Sequence, residues 1–462
     1  MSEDFSGWFH RMLEENEVAD NRYPIKGMPV YRGFGMRIIK VMQRYLEDLL
    51  ECDGHEPVYF PVLIPEEVLA RETEHIAGFE EQVFWVTHAG GNKLDRRLAL
   101  RPTSETCMYD LMSLWVRSHA DLPIKIHQSV AVYRYETKHT RPLIRGREFL
   151  WNEGHTAFES REDALENIEE VKKIYLKLIS DLLCVPVDVN LRPEWDKFPG
   201  AEYTLAFETL LPGGRSLQVA TIHNLGQHFS KVFNIEFEDA CGVKNLVWQT
   251  SYGPGFGRLL AAVMGVHKDD KGLRLPPEVA PTQVVVVPIF FKDSDKEKIC
   301  SAVSAIEQSL RSQNIRFKVD WGEDRPGSKY YRWEQRGVPL RIEVGPRDVE
   351  KNQALAVRRD TGEKTALPLD NFEVGDLLDD IQDNLRVQAR QSFESRFFEA
   401  ESIKDLDEYL GEGIVFAGWC GQDSCAKIFE TRGTILSLDK DNRRGCLVCG
   451  TDGMVIKVAK TY

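Results

Sequence analysis

The stretch RYETKHTRPLIRGREFLWNEGHT, Arg134 to Thr156, decides how this chain is read. Strand-like sequence leads into it (IKIHQSVAVYRYE) and out of it (REFLWNEG), with a polar loop carrying Lys138, His139, Arg141 and Arg145 between, so the segment reads as a β-hairpin. Alternation along a strand predicts Arg134 and Glu136 on one face of the first arm, with Arg147, Glu148 and Phe149 on the second. Such a hairpin suits a nucleotide: guanidiniums for phosphate oxygens, a carboxylate to accept from an adenine amine, and a ring on which a base stacks. A solvated hairpin rich in surface ion pairs has the same spacing, and both readings stand at this point.

Ahead of the hairpin, RPTSETCMYD (Arg101–Asp110) places Thr103 and Glu105 two apart, on one face if extended; capping residues ahead of a helix look alike. TIHNLGQHFSK supplies His223, and QTSYGPGFGRLL supplies Gly253, Gly255, Gly257 and Arg258, glycines that let backbone approach a ligand and an arginine that pairs with a terminal phosphate. GPGFGR is not a dinucleotide fingerprint, since Arg258 occupies its last glycine position. The segments LALRPTS, VDVNL, YTLAFETL, SLQVATIHNL and FNIEFE add short strands, interrupted by an amphipathic helix from Arg161 to Leu183. Ahead of them, Phe34 to Leu50 has helical spacing, and PVYFPVLIP reads as a short buried strand. The expectation is an α+β domain built on a mainly antiparallel sheet.

Two further pieces follow. VVVVPIFF, a helical stretch Asp293–Gln313, RFKVDW, a helix around Lys329–Arg336 and PLRIEVG alternate as in a small α/β domain, entered through the proline-rich LRLPPEVAPTQ, which reads as a linker. The domains are thus placed at residues 1–276, 282–380 and 381–462, the last beginning as charged helix. It ends in Cys420-x4-Cys425 and, twenty residues on, Cys446-x2-Cys449, a spacing suited to a structural zinc site or, failing that, to unconnected buried thiols. The other five cysteines (Cys52, Cys107, Cys184, Cys241, Cys300) are scattered and are expected in cores.

With 42 % hydrophobic and 29 % charged residues over 462 positions, the chain is neither disordered nor a disulfide scaffold. Its 59 basic against 73 acidic residues, net −14, argue against a general nucleic-acid coat while allowing local basic patches. No apolar run approaches the ~18 residues of a membrane span, and MSEDFSGWFH lacks the secretory pattern, so a cytoplasmic chain with no membrane partner is expected.

RPTSET, RYETKHTRPLIRGREF, WNEGHT, DKFPGAEYT, HNLGQHFSK and RGVPLRIEVGP together resemble prolyl-tRNA synthetases of the archaeal and eukaryotic type, which are class II aminoacyl-tRNA synthetases. The resemblance runs from FSGWFHRMLEENEVADNRYPIKGM to the terminal KTY. It implies a class II catalytic domain with a six-stranded antiparallel sheet and flanking helices, an α/β anticodon-binding domain, and a small C-terminal zinc-binding α+β domain. It also implies a proline–tRNA ligase that makes prolyl-adenylate from ATP and L-proline, uses Mg2+, carries structural Zn2+ on Cys420, Cys425, Cys446 and Cys449, and forms a homodimer through motif 1, ending at Pro61. Carried over position by position, Arg134 and Arg258 are catalytic, and with Glu136, Arg145, Phe149 and Gln218 they bind ATP. Thr103, Glu105, Arg134, Trp151, Glu153, His155, Phe198, His223 and Ser251 line the proline pocket, and Arg325, Glu334 and Arg336 meet the anticodon.

Only about a hundred residues separate Glu153 from Gly253, too few for the large editing insertion of the bacterial type. Two departures from the family pattern stand out. YGPGFGR is one residue longer than the usual motif 3, and DWGEDRPG has Trp321 and Gly322 where an acid and an arginine are expected. Arginine reads guanine edges bidentately and glycine cannot, so the tRNA identity is less determined than the amino acid. An alternative reading is a divergent paralogue that activates proline or an analogue for an unusual tRNA or a non-tRNA acceptor.

Overall fold

The computed structural model describes residues 4–71, 80–136, 139–290 and 296–462; Lys138 of the hairpin loop, Phe291 of VVVVPIFF and the first positions of the helix expected from Asp293 lie outside them. In the first domain seven strands form one sheet: β1 (Glu56–Pro57), β2 (Ile124–Tyr133), β3 (Glu148–Ala157), β4 (Asp188–Leu191), β5 (Tyr203–Leu210), β6 (Ser216–Gly226) and β7 (Gln249–Pro254). Their spatial order is β1-β2-β3-β7-β6-β5-β4. The six longer strands are antiparallel throughout, as expected, and the two-residue β1 adds a parallel edge.

Helices cover this sheet because their apolar residues recur at helical spacing. Helix α1 spans Phe5–Glu15 and α2 Gly33–Cys52, the latter burying Ile38, Ile39, Met42, Leu46 and Leu50 and stopping before Gly54, whose φ of +85° suits glycine. After α3 (Glu105–Trp115), helix α4 (Arg161–Leu176) starts on a Ser160 cap that accepts from the Asp163 amide, then continues as a π-turn to Leu182. Helix α5 (Phe256–Val266) is apolar on nearly all sides and is buried between α2 and the sheet.

Several local expectations are corrected. PVYFPVLIP is not one buried strand: prolines interrupt the ladder, leaving β1, a three-residue strand Leu63–Pro65 and a Tyr59 that is 77 % exposed. RPTSET leaves its strand at Leu100 and turns into α3, so Thr103 and Glu105 are not alternating strand positions. LRLPPEVAPTQ is a packed strap rather than a free linker. Leu275, Val279 and Ala280 are buried in the first domain's core, and Arg316 binds the carbonyls of Pro277, Glu278 and Ala280. Of the scattered cysteines only Cys184 is buried; Cys52 and Cys241 are exposed.

The second domain is a five-stranded mixed sheet, β8 (Val284–Pro288), β9 (Phe317–Val319), β10 (Leu340–Val344), β11 (Gln353–Arg358) and β12 (Lys364–Pro368), in the order β9-β8-β10-β11-β12. Helix α6 (Lys296–Ser312) packs on it, α7 spans Pro326–Gln335, and α8 (Gly375–Glu394) follows. The division expected between 380 and 381 falls inside α8, whose Leu378, Ile381 and Leu385 pack in the second domain while Phe393 packs with Leu210 and Ile414. The C-terminal sheet, β13 (Phe397–Glu399), β14 (Ile414–Trp419), β15 (Thr434–Gly445) and β16 (Asp452–Ala459), is ordered β13-β14-β16-β15. It leans on the first domain: Trp419 meets Trp195 edge to face at 5.7 Å, and Lys457 binds Asp188 at 2.6 Å.

Candidate active site

Period two along β3 puts Phe149, Trp151, Glu153 and His155 on one side of the sheet, where all four line a cavity of about 320 Å³. Register extends that row across three more strands: His155 pairs with Ser251, Ser251 with His223 and His223 with Thr204. Thr103, Glu105 and Phe198 close one end of the cavity; Arg134, Glu136, Arg145, Gln218 and Arg258 line it too. The structure therefore gathers into one cavity every residue that the sequence assigned to the ATP and proline sites. It does so even though β2 stops at Tyr133, so Arg134 and Glu136 lie beyond the strand on an extension joined to the return arm by the Arg134 amide and the Arg147 carbonyl, 2.9 Å.

Glu153 is buried and fully partnered. Its carboxylate accepts from Ser104 Oγ at 2.5 Å, Gln128 Nε2 at 2.8 Å and His155 Nε2 at 3.1 Å, and His155 Nδ1 reaches the Tyr109 hydroxyl at 3.2 Å. Burial pushes Glu153 upward, but the His155 bond and those of Ser104 and Gln128 outweigh it and hold the carboxyl below the ordinary range. Burial likewise pulls His155 down, and Glu153 with Glu105 reverses this, so the imidazole is held charged above its ordinary range. Thr103 donates to Glu105, and the His223 ring, fixed by Thr204 and Thr221, stacks on Phe198 with centroids 4.5 Å apart. The indole nitrogen of Trp151 is buried with no hydrogen-bond partner among the described residues. A small apolar ring between Phe198 and Trp151, with an ammonium facing Glu105 and Thr103, fits this chemistry.

Another part of the lining is cationic. Arg134 donates to the Pro102 carbonyl at 3.0 Å and its guanidinium lies 5.4 Å from the Phe149 ring centroid. Arg258 is held by the Ile144 carbonyl at 2.9 Å and the Gln218 carbonyl at 3.0 Å. Burial first, then the charges of Arg134 and Arg145, pull Arg258 down to about 10. Such a cluster of half-buried like charges calls for a polyanion.

Gly253, Gly255 and Gly257 all line the cavity, and two of them also serve packing within the protein. A Cβ on Gly253 would lie 2.7 Å from the Asn152 carbonyl oxygen, and one on Gly257 would lie 2.8 Å from that of Leu143, so both permit packing within the protein. Arg141 is turned away, bound to Ser6 and lying over the Tyr462 ring. Arg192 and Tyr462 are the residues here that sequence reasoning misses: Arg192 lines the cavity, and Tyr462 binds Arg145. Arg192 stands just ahead of the quoted DKFPGAEYT, a signal too weak without the fold, and nothing local marks Tyr462.

Away from the cavity, the sulfurs of Cys420, Cys425, Cys446 and Cys449 all lie within 4.8 Å of one another, with Cys449 and Cys420 3.6 Å apart. Four thiolates on a tetrahedral zinc at ~2.3 Å stand about 3.8 Å apart, so this donor set fits the metal. Burial and the neighbouring sulfurs push Cys425 up to about 12, a repulsion that a divalent cation would relieve. The three expected anticodon residues differ in their surroundings. Arg325 is exposed at the start of α7, whereas Glu334 is tied to Arg341 and Arg336 to Glu17 of the first domain. The exposed Trp321 instead lies beside Phe290, centroids 6.4 Å apart and planes 21° apart.

Residues 84–267 match the tRNA synthetase class II core domain (G, H, P, S and T), and residues 283–374 match the anticodon binding domain. A proline–tRNA ligase of Methanothermobacter thermautotrophicus is 46 % identical over 97 % of this chain and 94 % of its own length. The chain belongs to the prolyl-tRNA synthetase family. A relative from Thermococcus kodakarensis, also a proline–tRNA ligase, is 46 % identical over 100 % of this chain and 98 % of its own. Among solved prolyl-tRNA synthetases, that of Giardia lamblia in complex with prolyl-adenylate superimposes with a TM-score of 0.94 at 34 % identity, covering 98 % of this chain and 97 % of that one. The enzyme of Cryptosporidium parvum, complexed with halofuginone and AMPPNP, gives 0.92 at 35 % identity, covering 99 % and 98 %.

Proposed function

We propose that this chain is a proline–tRNA ligase: it joins L-proline to ATP as prolyl-adenylate and passes the prolyl group to the 3′ end of tRNA. The observation that carries this reading is the joining, in one cavity, of a half-buried arginine cluster to a ring-sized pocket walled by Phe198, His223 and Trp151. In the first step a carboxylate oxygen of proline bonds to the α-phosphorus while the bond from that phosphorus to the bridging oxygen breaks, and pyrophosphate leaves. In the second, a terminal hydroxyl of tRNA attacks the prolyl carbonyl, AMP leaves, and the hydroxyl proton is released to solvent or phosphate. No side-chain nucleophile is required, so catalysis consists of placement and charge stabilisation.

Each residue's part is the one that the family resemblance assigns, and its place in the cavity lining supports it. Glu105 and Thr103 receive the proline ammonium, while Glu153 and His155 fix the floor of the pocket beside Ser251. Phe149 supports the adenine, Glu136 accepts from its amino group, and Arg134 stands between the reacting carboxylate and the α-phosphate. Arg145, Gln218 and Arg258 hold the outer phosphates, with ATP arriving as its magnesium complex, the substrate form.

The four cysteines would hold a zinc ion that closes the C-terminal domain and supplies a structural cross-link. Exposed Tyr59, Leu63, Leu114 and Trp115 beside β1 support a homodimer formed there. No helix of the described residues is long and apolar enough to cross a membrane, in keeping with work in the cytoplasm. Incubation with labelled proline, ATP and a total tRNA fraction is expected to label tRNA in a proline-specific manner; absence of label on any tRNA would count against the transfer step.

A further inference from the structure

Arg192 directly follows β4, and its side chain is only 6 % exposed. Nη2 is committed twice, to Glu208 Oε1 and to Gln218 Oε1, each at 2.8 Å. Nη1 is buried and has no hydrogen-bond partner among the described residues. The half-exposed Asp196 carboxylate stands 3.4 Å from it without hydrogen-bond geometry, and both residues line the cavity. Burying a guanidinium with one fork unsatisfied costs free energy that a purely structural counter-ion to Glu208 would not need to bear.

Gln218 ties this guanidinium to Arg258. Its side-chain oxygen accepts from Arg192, and its main-chain oxygen accepts from Arg258 Nη1 at 3.0 Å. Glu208 and Gln218 face each other across β5 and β6, so one cross-strand pair holds both arginines at the cationic end. Glu208 is held in turn by Asn190 at 2.9 Å, and Asn190 by Lys457 of β16 at 3.1 Å.

We propose that Arg192 is a further phosphate-binding residue, its Nη1 donating to the β- and γ-phosphates of ATP and to the pyrophosphate that leaves. This rests on the reading of the cavity as the site of adenylate formation. Glu208 and Asn190 are then positioning residues, Gln218 holds Arg192 as well as lining the phosphate site, and Lys457 links the phosphate end to the C-terminal domain. Asp196 is the anion that the triphosphate displaces from Arg192.

The test compares the unaltered chain with R192K, which keeps a charge beside Glu208, and R192Q/E208Q, which removes both charges together. Pyrophosphate exchange gives KM for ATP, pyrophosphate and proline; titration gives the affinity for magnesium pyrophosphate and for a non-hydrolysable prolyl-adenylate analogue, which lacks the β- and γ-phosphates. Loss of a charge-assisted hydrogen bond predicts at least about a tenfold weakening for ATP and pyrophosphate in both variants, with proline and the analogue within about twofold. Unchanged pyrophosphate affinity would overturn the proposal, as would equal weakening of the analogue, which marks a structural role. If the unaltered chain lacks proline-dependent exchange, the reading of the site fails. Weakened pyrophosphate binding in the variants would still support the part given to Arg192.

Discussion

Arg145 and Tyr462, 317 positions apart in the chain, meet in the fold: Nη2 of the arginine donates to the main-chain oxygen of the tyrosine at 2.8 Å. The Tyr462 amide in turn binds the Ser216 carbonyl at 3.2 Å, and its ring lies under Arg141. The end of the C-terminal sheet thus fixes the direction of a guanidinium that lines the nucleotide end of the cavity. Removing Tyr462 frees Arg145 to rotate. The expected outcome is a rise of about three- to tenfold in KM for ATP, the loss of roughly one hydrogen bond, with KM for proline unchanged. Equal effects on both substrates in exchange kinetics would contradict this.

The Glu153–His155 pair predicts a two-sided pH dependence. Glu153 is held below the ordinary carboxyl range, so its contribution is present above its unfolded pKa and is lost as pH falls through the folded one. His155 is held above its ordinary 6.5, so its contribution is full below that value and is lost as pH rises through the raised one. Both charges coexist from mildly acidic to about neutral pH, where KM for proline should be lowest. E153Q should cost about 1–3 kcal/mol of stability and flatten the acidic limb of KM for proline. An acidic limb identical to that of the unaltered chain would show that another group sets it.

Much of this site was legible because chemistry and period coincide in one short segment. Trp151, Glu153 and His155 came from the family resemblance, and the alternation of the strand that carries them accounts for their shared face. What escaped is tertiary. Arg192 looks like any loop arginine until β5 brings Glu208 beside it, and Tyr462 carries no local signal because its partners lie in another domain. The strap at Leu273–Ala280 was misread because prolines mark interruptions of hydrogen bonding, whether the chain there is free or buried. Glu334 and Arg336 came from the family resemblance, and their ion pairs with Arg341 and Glu17 could not be read from the sequence, because both partners are distant along the chain or in another element.

Metal content tests the cysteine cluster. One zinc per chain is expected, and its removal should lower the unfolding midpoint and alter the fluorescence of Trp419, which adjoins Cys420. A metal-free preparation with the same midpoint and spectrum would argue that the thiols are merely neighbours.

Trp321 should matter for tRNA and not for proline activation. Its ring is 49 % exposed beside Phe290, and stacking of an unpaired base contributes about 1–3 kcal/mol. W321A is therefore expected to raise KM for tRNA by roughly five- to hundredfold while leaving exchange kinetics alone. Unaltered charging at limiting tRNA would remove Trp321 from the contact surface.

Proofreading offers a negative prediction. A pocket that separates proline from alanine by a few methylenes gains only ~1–3 kcal/mol for each, so some alanine should be activated. With no room for an editing insertion between Glu153 and Gly253, pre-formed alanyl-tRNA should persist when the protein is added, as followed by acid-gel analysis. Rapid deacylation would require a hydrolytic site elsewhere in the chain.

The proposed chemistry requires that the arginine-lined cavity activate proline. The direct measurement is incorporation of labelled pyrophosphate into ATP by the purified chain, with each amino acid offered in turn. Strong exchange with proline, weak exchange with alanine, none without an amino acid, and collapse on substituting Arg134 by Ala is the predicted result. Exchange that ignores proline, or that survives loss of Arg134, would contradict it.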